Sequence, residues 1–169
     1  MKNRFFLAVL TAFVPFYAFA APLKIAVNKI DENGVGEKIG HITIKETKAG
    51  LVFKVDVKAI MPEGNHGFHL HENPNCGADE KDGKKVAGLL AGSHLDPHKT
   101  AKHEGPEGQG HLGDLPFVVS NQKGEIKMSV VAKRLKMEDV MNRSLIIHGG
   151  SDNYADKAGG DRVACAVIQ

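Results

Sequence analysis

Apolar and polar positions alternate along much of the chain. LKIAVNKI (23–30) sets Leu23, Ile25 and Val27 on one face, and HITIKET (41–47) does the same with Ile42 and Ile44. LVFKVDVKAI (51–60) places Leu51, Phe53, Val55 and Val57 against Lys54, Asp56 and Lys58. EIKMSVV (125–131) sets Ile126, Met128 and Val130 opposite Lys127 and Ser129. A period of two belongs to strands with one face in a core and one in water, the habit of antiparallel sheets. RVACAVI (162–168) is apolar on both faces, and LPFVVS (115–120), SLIIHGG (144–150) and HGFHLHE (66–72) bring the set to eight strands. DENG (31–34), KAG (48–50), MPEGN (61–65) and NQKG (121–124) supply turn chemistry between them. RLKMEDVMN (134–142) reads as a short helix. The pattern predicts an all-β fold, a β-sandwich or flattened barrel.

Residues 72–114 interrupt this pattern with roughly forty positions rich in Gly, Pro, Asp, His and Lys, longer than ordinary connections in compact domains. The stretch holds Cys76 near its start and then His94, His98, His103 and His111, so we expect a loop ordered by a disulfide and a metal rather than a disordered one. A shorter irregular loop, GGSDNYADKAGGD (149–161), separates His148 from Arg162.

The N-terminus is of another kind. Lys2 and Arg4 precede the uncharged FFLAVLTAFVPFYAFA (5–20), and Ala18 and Ala20 give a small-x-small cleavage site. This reads as a secretory signal peptide over 1–20, leaving a single domain over 21–169. Without Lys2 and Arg4 the chain carries 20 basic and 20 acidic residues, a balance that argues against nucleic acid or an anionic membrane surface as partner. No later apolar run is long enough to insert into a membrane. In an exported chain the two cysteines, Cys76 and Cys165, are expected to pair.

The chemistry lies in the nine histidines. In HGFHLHE (66–72), strand alternation turns Phe68 and Leu70 one way and His69 and His71 the other, two imidazoles side by side on an apolar backing. KHEGPEGQGHLGD (102–114) contains H-x7-H-x2-D, so His103, His111 and Asp114 form a partial zinc shell that lacks one ligand. His69, His71 and His148 form a nitrogen-rich set suited to copper, also one ligand short. His94 lies between them in sequence.

GFHLHE, GSHLDP, KHEGPEGQGHLGDLP, the HGG after an apolar strand and GDRVACAVI at the C-terminus, in this order, resemble the exported bacterial copper–zinc superoxide dismutases over essentially the whole of 21–169. The resemblance implies an eight-stranded antiparallel Greek-key β-barrel with long metal-binding loops, located in the periplasm, and one copper and one zinc ion per chain. It implies copper held by His69, His71, His94 and His148, and zinc by His94, His103, His111 and Asp114, with His94 completing both sets. His94 then also acts as a proton carrier in the dismutation of superoxide to dioxygen and hydrogen peroxide. Arg162 is expected to bind the anion, and Asp152 to bridge the metal-distal nitrogens of His71 and His111. Lys84, in EKDGKK (80–85), is the expected steering cation. His66 is expected to be structural, with His41 and His98 exposed or minor metal contacts. A homodimer is expected. Two rivals are a periplasmic metal buffer, which needs neither Arg162 nor a shared His94, and a zinc hydrolase, which needs an open zinc position.

Overall fold

The computed structural model describes residues 21–169; the expected signal peptide lies outside them. Strands β1 (Leu23–Asp31), β2 (Gly34–Thr47), β3 (Gly50–Val57), β4 (Gly64–His66), β5 (Phe68–His71), β6 (Asp79–Lys81), β7 (Lys84–Val86), β8 (Val118–Ser120), β9 (Ile126–Ala132), β10 (Arg143–His148) and β11 (Arg162–Ile168) carry the fold. Seven of them form one antiparallel sheet in the order β5-β10-β11-β1-β2-β3-β9, and β4–β8 and β6–β7 are separate pairs. β4 runs into β5 through Gly67, and β8 joins β9 through the Asn121–Gly124 turn, so the β4–β8 pair connects the two ends of the sheet. Counted in this way, eight strands surround the core, compatible with the expected barrel.

The alternation predicted from sequence fills this core. Ile42, Ile44, Leu51, Phe53, Val55 and Val57 are all buried, with Phe68, Leu70, Ile126 and Leu145. Phe53 and Phe68 meet edge to face at 5.9 Å, a favoured aromatic geometry. The helix expected over 134–142 is one turn, α1 (Met137–Val140), that buries Val140; a segment of this length does not sustain a helix by itself.

Residues 72–114 are not structureless. Asp82 and Gly83 both have positive φ, 54° and 73°, and close β6 onto β7, as two-residue hairpin turns require. The Cys76–Cys165 disulfide, with Cα atoms 5.8 Å apart, ties the start of this region to β11. Both cysteines pack with Ile30, Ala91 and Ile146 in a small second core. Arg143 at the start of β10 donates to the carbonyl of Glu72. Further along, Gly113 lies against β5: Leu70 N donates to Gly113 O at 2.9 Å, Leu95 N to Leu70 O at 2.8 Å and Gly113 N to Leu95 O at 2.9 Å. A Cβ on Gly113 would lie 2.2 Å from Leu70 O, so only glycine permits this docking. The 149–161 loop reaches the other end of β5, where a Cβ on Gly67 would meet Ala158 O at 2.9 Å. The outer face of β5 is thereby covered by both loops, and this face carries the histidines.

Candidate metal centre

Every side chain of β5 is buried. Phe68 and Leu70 enter the core, and the pleat turns His69 and His71 to the opposite face, beneath the loops. β10 pairs with β5 and ends at His148. His94 reaches the same place from the long loop through a bridge to His71, and Asp114 through a bridge to His69. One ligand atom each from His69, His71, His94 and His148 lies within 4.8 Å of the others. A second group of the same span joins His69, His94, His103 and Asp114. His69 and His94 stack at 4.0 Å between ring centroids, which is why His69 falls within reach of both groups. His111, expected in the second group, is less tightly gathered; its Nδ1 lies 3.4 Å from Asp114 Oδ1.

The rings are oriented by their outer nitrogens. His69 Nε2 donates to Asp152 Oδ2 at 2.7 Å and His103 Nε2 to Asp152 Oδ1 at 2.9 Å. His71 Nδ1 donates to Gly92 O at 3.0 Å, and His148 Nδ1 to Gly160 O at 2.7 Å. The inner atoms, His69 Nδ1, His71 Nε2, His103 Nδ1, His111 Nδ1 and His148 Nε2, are buried and have no hydrogen-bond partner. His103 Nδ1 lies 3.0 Å from Asp114 Oδ2, but not at a hydrogen-bonding angle. Buried polar atoms are nearly always satisfied; five unsatisfied ring nitrogens converging on two points fit metal ions, and ligating histidines characteristically use the other nitrogen in this way.

Asp152 does not bridge His71 and His111, the pair expected from the resemblance. His71 already uses its second nitrogen on Gly92. His69 and His103 instead stand perpendicular to each other at 5.4 Å and present their Nε2 edges to the two carboxylate oxygens. One residue of each group is thereby held by the same carboxylate. Asn65 holds Asp152 in turn: its Nδ2 donates to Asp152 O at 3.1 Å and its Oδ1 accepts from Asp152 N at 3.3 Å.

Electrostatics favour the ligating forms of His69, His71, His148 and Asp114. Burial, with the nearby His94 adding to it, holds His69 and His71 well below the ordinary imidazole range. Burial likewise pushes His148 down to about 4. These rings are neutral at physiological pH, as metal binding requires. Burial acts to raise Asp114, but the His94 hydrogen bond at 2.8 Å and the neighbouring His103 outweigh it and bring the carboxyl to about 2. On His103 the hydrogen bond to Asp152 and the charge of Asp114 overcome burial and raise the imidazole.

The family model described as "Copper/zinc superoxide dismutase (SODC)" matches residues 38–168. The chain belongs to this family. It is 47% identical over 173 residues to a superoxide dismutase [Cu-Zn] of Escherichia coli K12, with 99% of each chain covered. The solved Cu/Zn superoxide dismutase of Brucella abortus superposes with a TM-score of 0.85 at 44% identity, covering 88% of this chain and 100% of that one. The solution structure of a monomeric copper, zinc superoxide dismutase from Salmonella enterica gives 0.79 at 48% identity over the same shares.

In this superoxide dismutase fold, Arg162 starts β11 and is half-buried. Its Nη1 and Nη2 donate to the carbonyls of Gly88 and Gly92, the latter at 2.8 Å. Gly92 O therefore receives both Arg162 and His71. An open cleft lined by His94, His148, Lys157, Gly160 and Arg162 leads to the centre, and Lys99 lines its neighbour beside His94, His103 and His111. Lys84 does not line either cleft. The next residue, Lys85, lines a groove shared with Arg162. His66 is buried; its Nδ1 donates to His148 O at 2.8 Å, and its Nε2 lies 2.9 Å from both Pro62 O and Ser120 Oγ. It braces the strand end that carries His148. His41 and His98 belong to neither ligand group. Asn65 carried no signal in the sequence, since nothing local announces a contact 87 positions away.

Proposed function

We propose that His69, His71, His94 and His148 hold the copper of this superoxide dismutase, and that His94, His103, His111 and Asp114 hold its zinc. The observation that carries this assignment is the set of buried ring nitrogens without partners, gathered in two groups that His94 serves together. Where the tightest second group contains His69 in place of His111, tautomer decides. His69 has Nε2 tied to Asp152, which leaves one free nitrogen, and the copper group needs it.

Copper bound there supplies a one-electron redox change, and zinc a fixed positive charge with no redox chemistry. The reaction takes two superoxide anions and two protons to one dioxygen and one hydrogen peroxide. His94 turns Nδ1 to Asp114, so Nε2 is the nitrogen left to the other group and the place where a proton can be held and released. Arg162 uses two of its five N–H groups on Gly88 and Gly92. The remaining donors face an anion with a charge that burial does not remove. Lys157 and Lys99 on the cleft walls, with Lys84 and Lys85 on the hairpin, raise the local concentration of superoxide.

The reading places the chain in the periplasm, supported by the disulfide and by the signal-like residues 1–20. We propose a homodimer as a separate part of this reading. Met61, just before β4, and Val119, within β8, are exposed apolar side chains available to a second copy. Among the described residues no helix is long and apolar enough to cross a membrane.

The test is superoxide decay followed by absorbance, using residues 21–169 loaded with copper and zinc against a zinc-only control. Copper-dependent catalytic decay is expected, with one equivalent of each metal per chain. Both metals bound and decay no faster than the control would overturn the assignment. Sedimentation of the loaded protein reads the dimer.

A further inference from the structure

After β9 the next two side chains turn onto the loop that carries His103 and His111. Lys133 Nζ lies 3.0 Å from Glu107 Oε1 on the surface, a kind of pair that contributes little. Arg134 is placed differently. It is partly buried; its Nη1 donates to Gly108 O at 2.6 Å and more weakly to Gly110 O at 3.4 Å, and its Nη2 donates to His111 O. Three carbonyls within four residues converge on one guanidinium. Among the described residues it makes no ion pair.

We infer that Arg134 is the positioning residue of the zinc ligands, setting the affinity for zinc without touching the ion. The inference rests on the zinc ligands proposed above. One of the three acceptors is the carbonyl of His111 itself, so the guanidinium fixes the backbone that aims His111 Nδ1. The segment it holds is folded onto the other histidine of the loop: His111 N donates to Lys102 O at 2.8 Å, and Gln109 N to Glu104 Oε2 at 3.1 Å. Gly110 packs so closely that a Cβ there would lie 2.2 Å from Lys102 O. Glu104 N in turn donates to Asp114 Oδ2 at 3.2 Å. Holding 108–111 therefore holds 102–104, and with it His103 and the Asp114 carboxylate.

The charge of Arg134 matters as well as its shape. Three carbonyl dipoles with their negative ends together repel one another, and only a cation lets them converge. A planar fork reaches several acceptors at fixed spacing, which a lysine ammonium cannot match.

The experiment compares wild type, Arg134→Ala and Arg134→Lys as residues 21–169. Zinc affinity is measured by chelator competition, copper affinity on zinc-free protein, and the electronic spectrum of cobalt(II) in the zinc site reports its tetrahedral geometry. Arg134→Ala should weaken zinc about 10–100-fold, the range for residues that orient ligands, and distort the cobalt spectrum while copper affinity holds. Arg134→Lys should fall between, and guanidinium added to Arg134→Ala should restore part of the loss. If Arg134→Ala does not fold, the Lys variant carries the same comparison. Unchanged zinc affinity in the variants would overturn the inference, and so would equal losses of zinc and copper, which would make Arg134 a general support of the fold. Wild-type protein that binds no zinc would remove the ligand assignment first and this inference with it.

Discussion

Replacing both cysteines, Cys76→Ser with Cys165→Ser, tests how the long loop is held. The bridge closes a separation of 89 positions. Constraint of the unfolded chain over that length is worth about 4.6 kcal/mol at 25 °C. Both residues are buried against Ile30, Ala91 and Ile146, so burying two hydroxyls adds a smaller penalty. A small domain is stable by only about 5–15 kcal/mol, and the metal-free double variant should therefore be close to its limit. Urea unfolding of the metal-free protein, at matched slope, should show a loss of at least about 4–5 kcal/mol. The effect should also reach the site. Cys165 lies three residues beyond Arg162, and the loop that Cys76 anchors carries the Gly88 and Gly92 carbonyls that hold that guanidinium. Turnover should fall at constant copper content. A loss under about 1 kcal/mol would refute the reasoning, because the loop would then be held by its hydrogen bonds to β5 and β10 alone.

The remaining predictions concern the centre. His148→Ala should abolish copper binding and activity while zinc and the fold persist, read by metal analysis and circular dichroism; retained activity would refute the copper set. Asp114→Ala should release zinc and increase amide exchange over 95–113 while copper still binds. Arg162→Ala should slow superoxide decay and keep both metals; an unchanged rate would reduce it to an anchor for Gly88 and Gly92. In metal-free protein, His148 falls from an ordinary 6.5 to about 4 on folding. The unfolded chain then binds more protons between these values, and stability should drop as pH falls through that window, by roughly 3 kcal/mol from this group. Denaturant titrations at a series of pH values read it directly.

Alternation made the barrel strands legible, because a half-buried strand cannot avoid displaying its period. The candidate ligands were also visible, His69 and His71 from the pleat and His103, His111 and Asp114 from their spacing. What escaped was orientation. Sequence names a histidine but not which nitrogen faces inward, and the partners of Asp152 follow from that choice: Gly92 occupies the outer nitrogen of His71, leaving His69 and His103 to the carboxylate. The β6–β7 hairpin was visible in principle as Asp82-Gly83, but the lysines around it read as a solvated charge run.

Arg134, Arg143 and Arg162 are the only arginines among the described residues, and all three donate to loop carbonyls; none is paired with a carboxylate there. Ionic strength should consequently divide the protein's behaviour in two. On the proposed reading, added salt screens the exposed lysines around the clefts, so capture of the anion should slow. The contacts that hold the loops are short and partly buried, between a cation and neutral dipoles, and they are left almost untouched. A centre of this kind can lose its reach in brine and keep its shape.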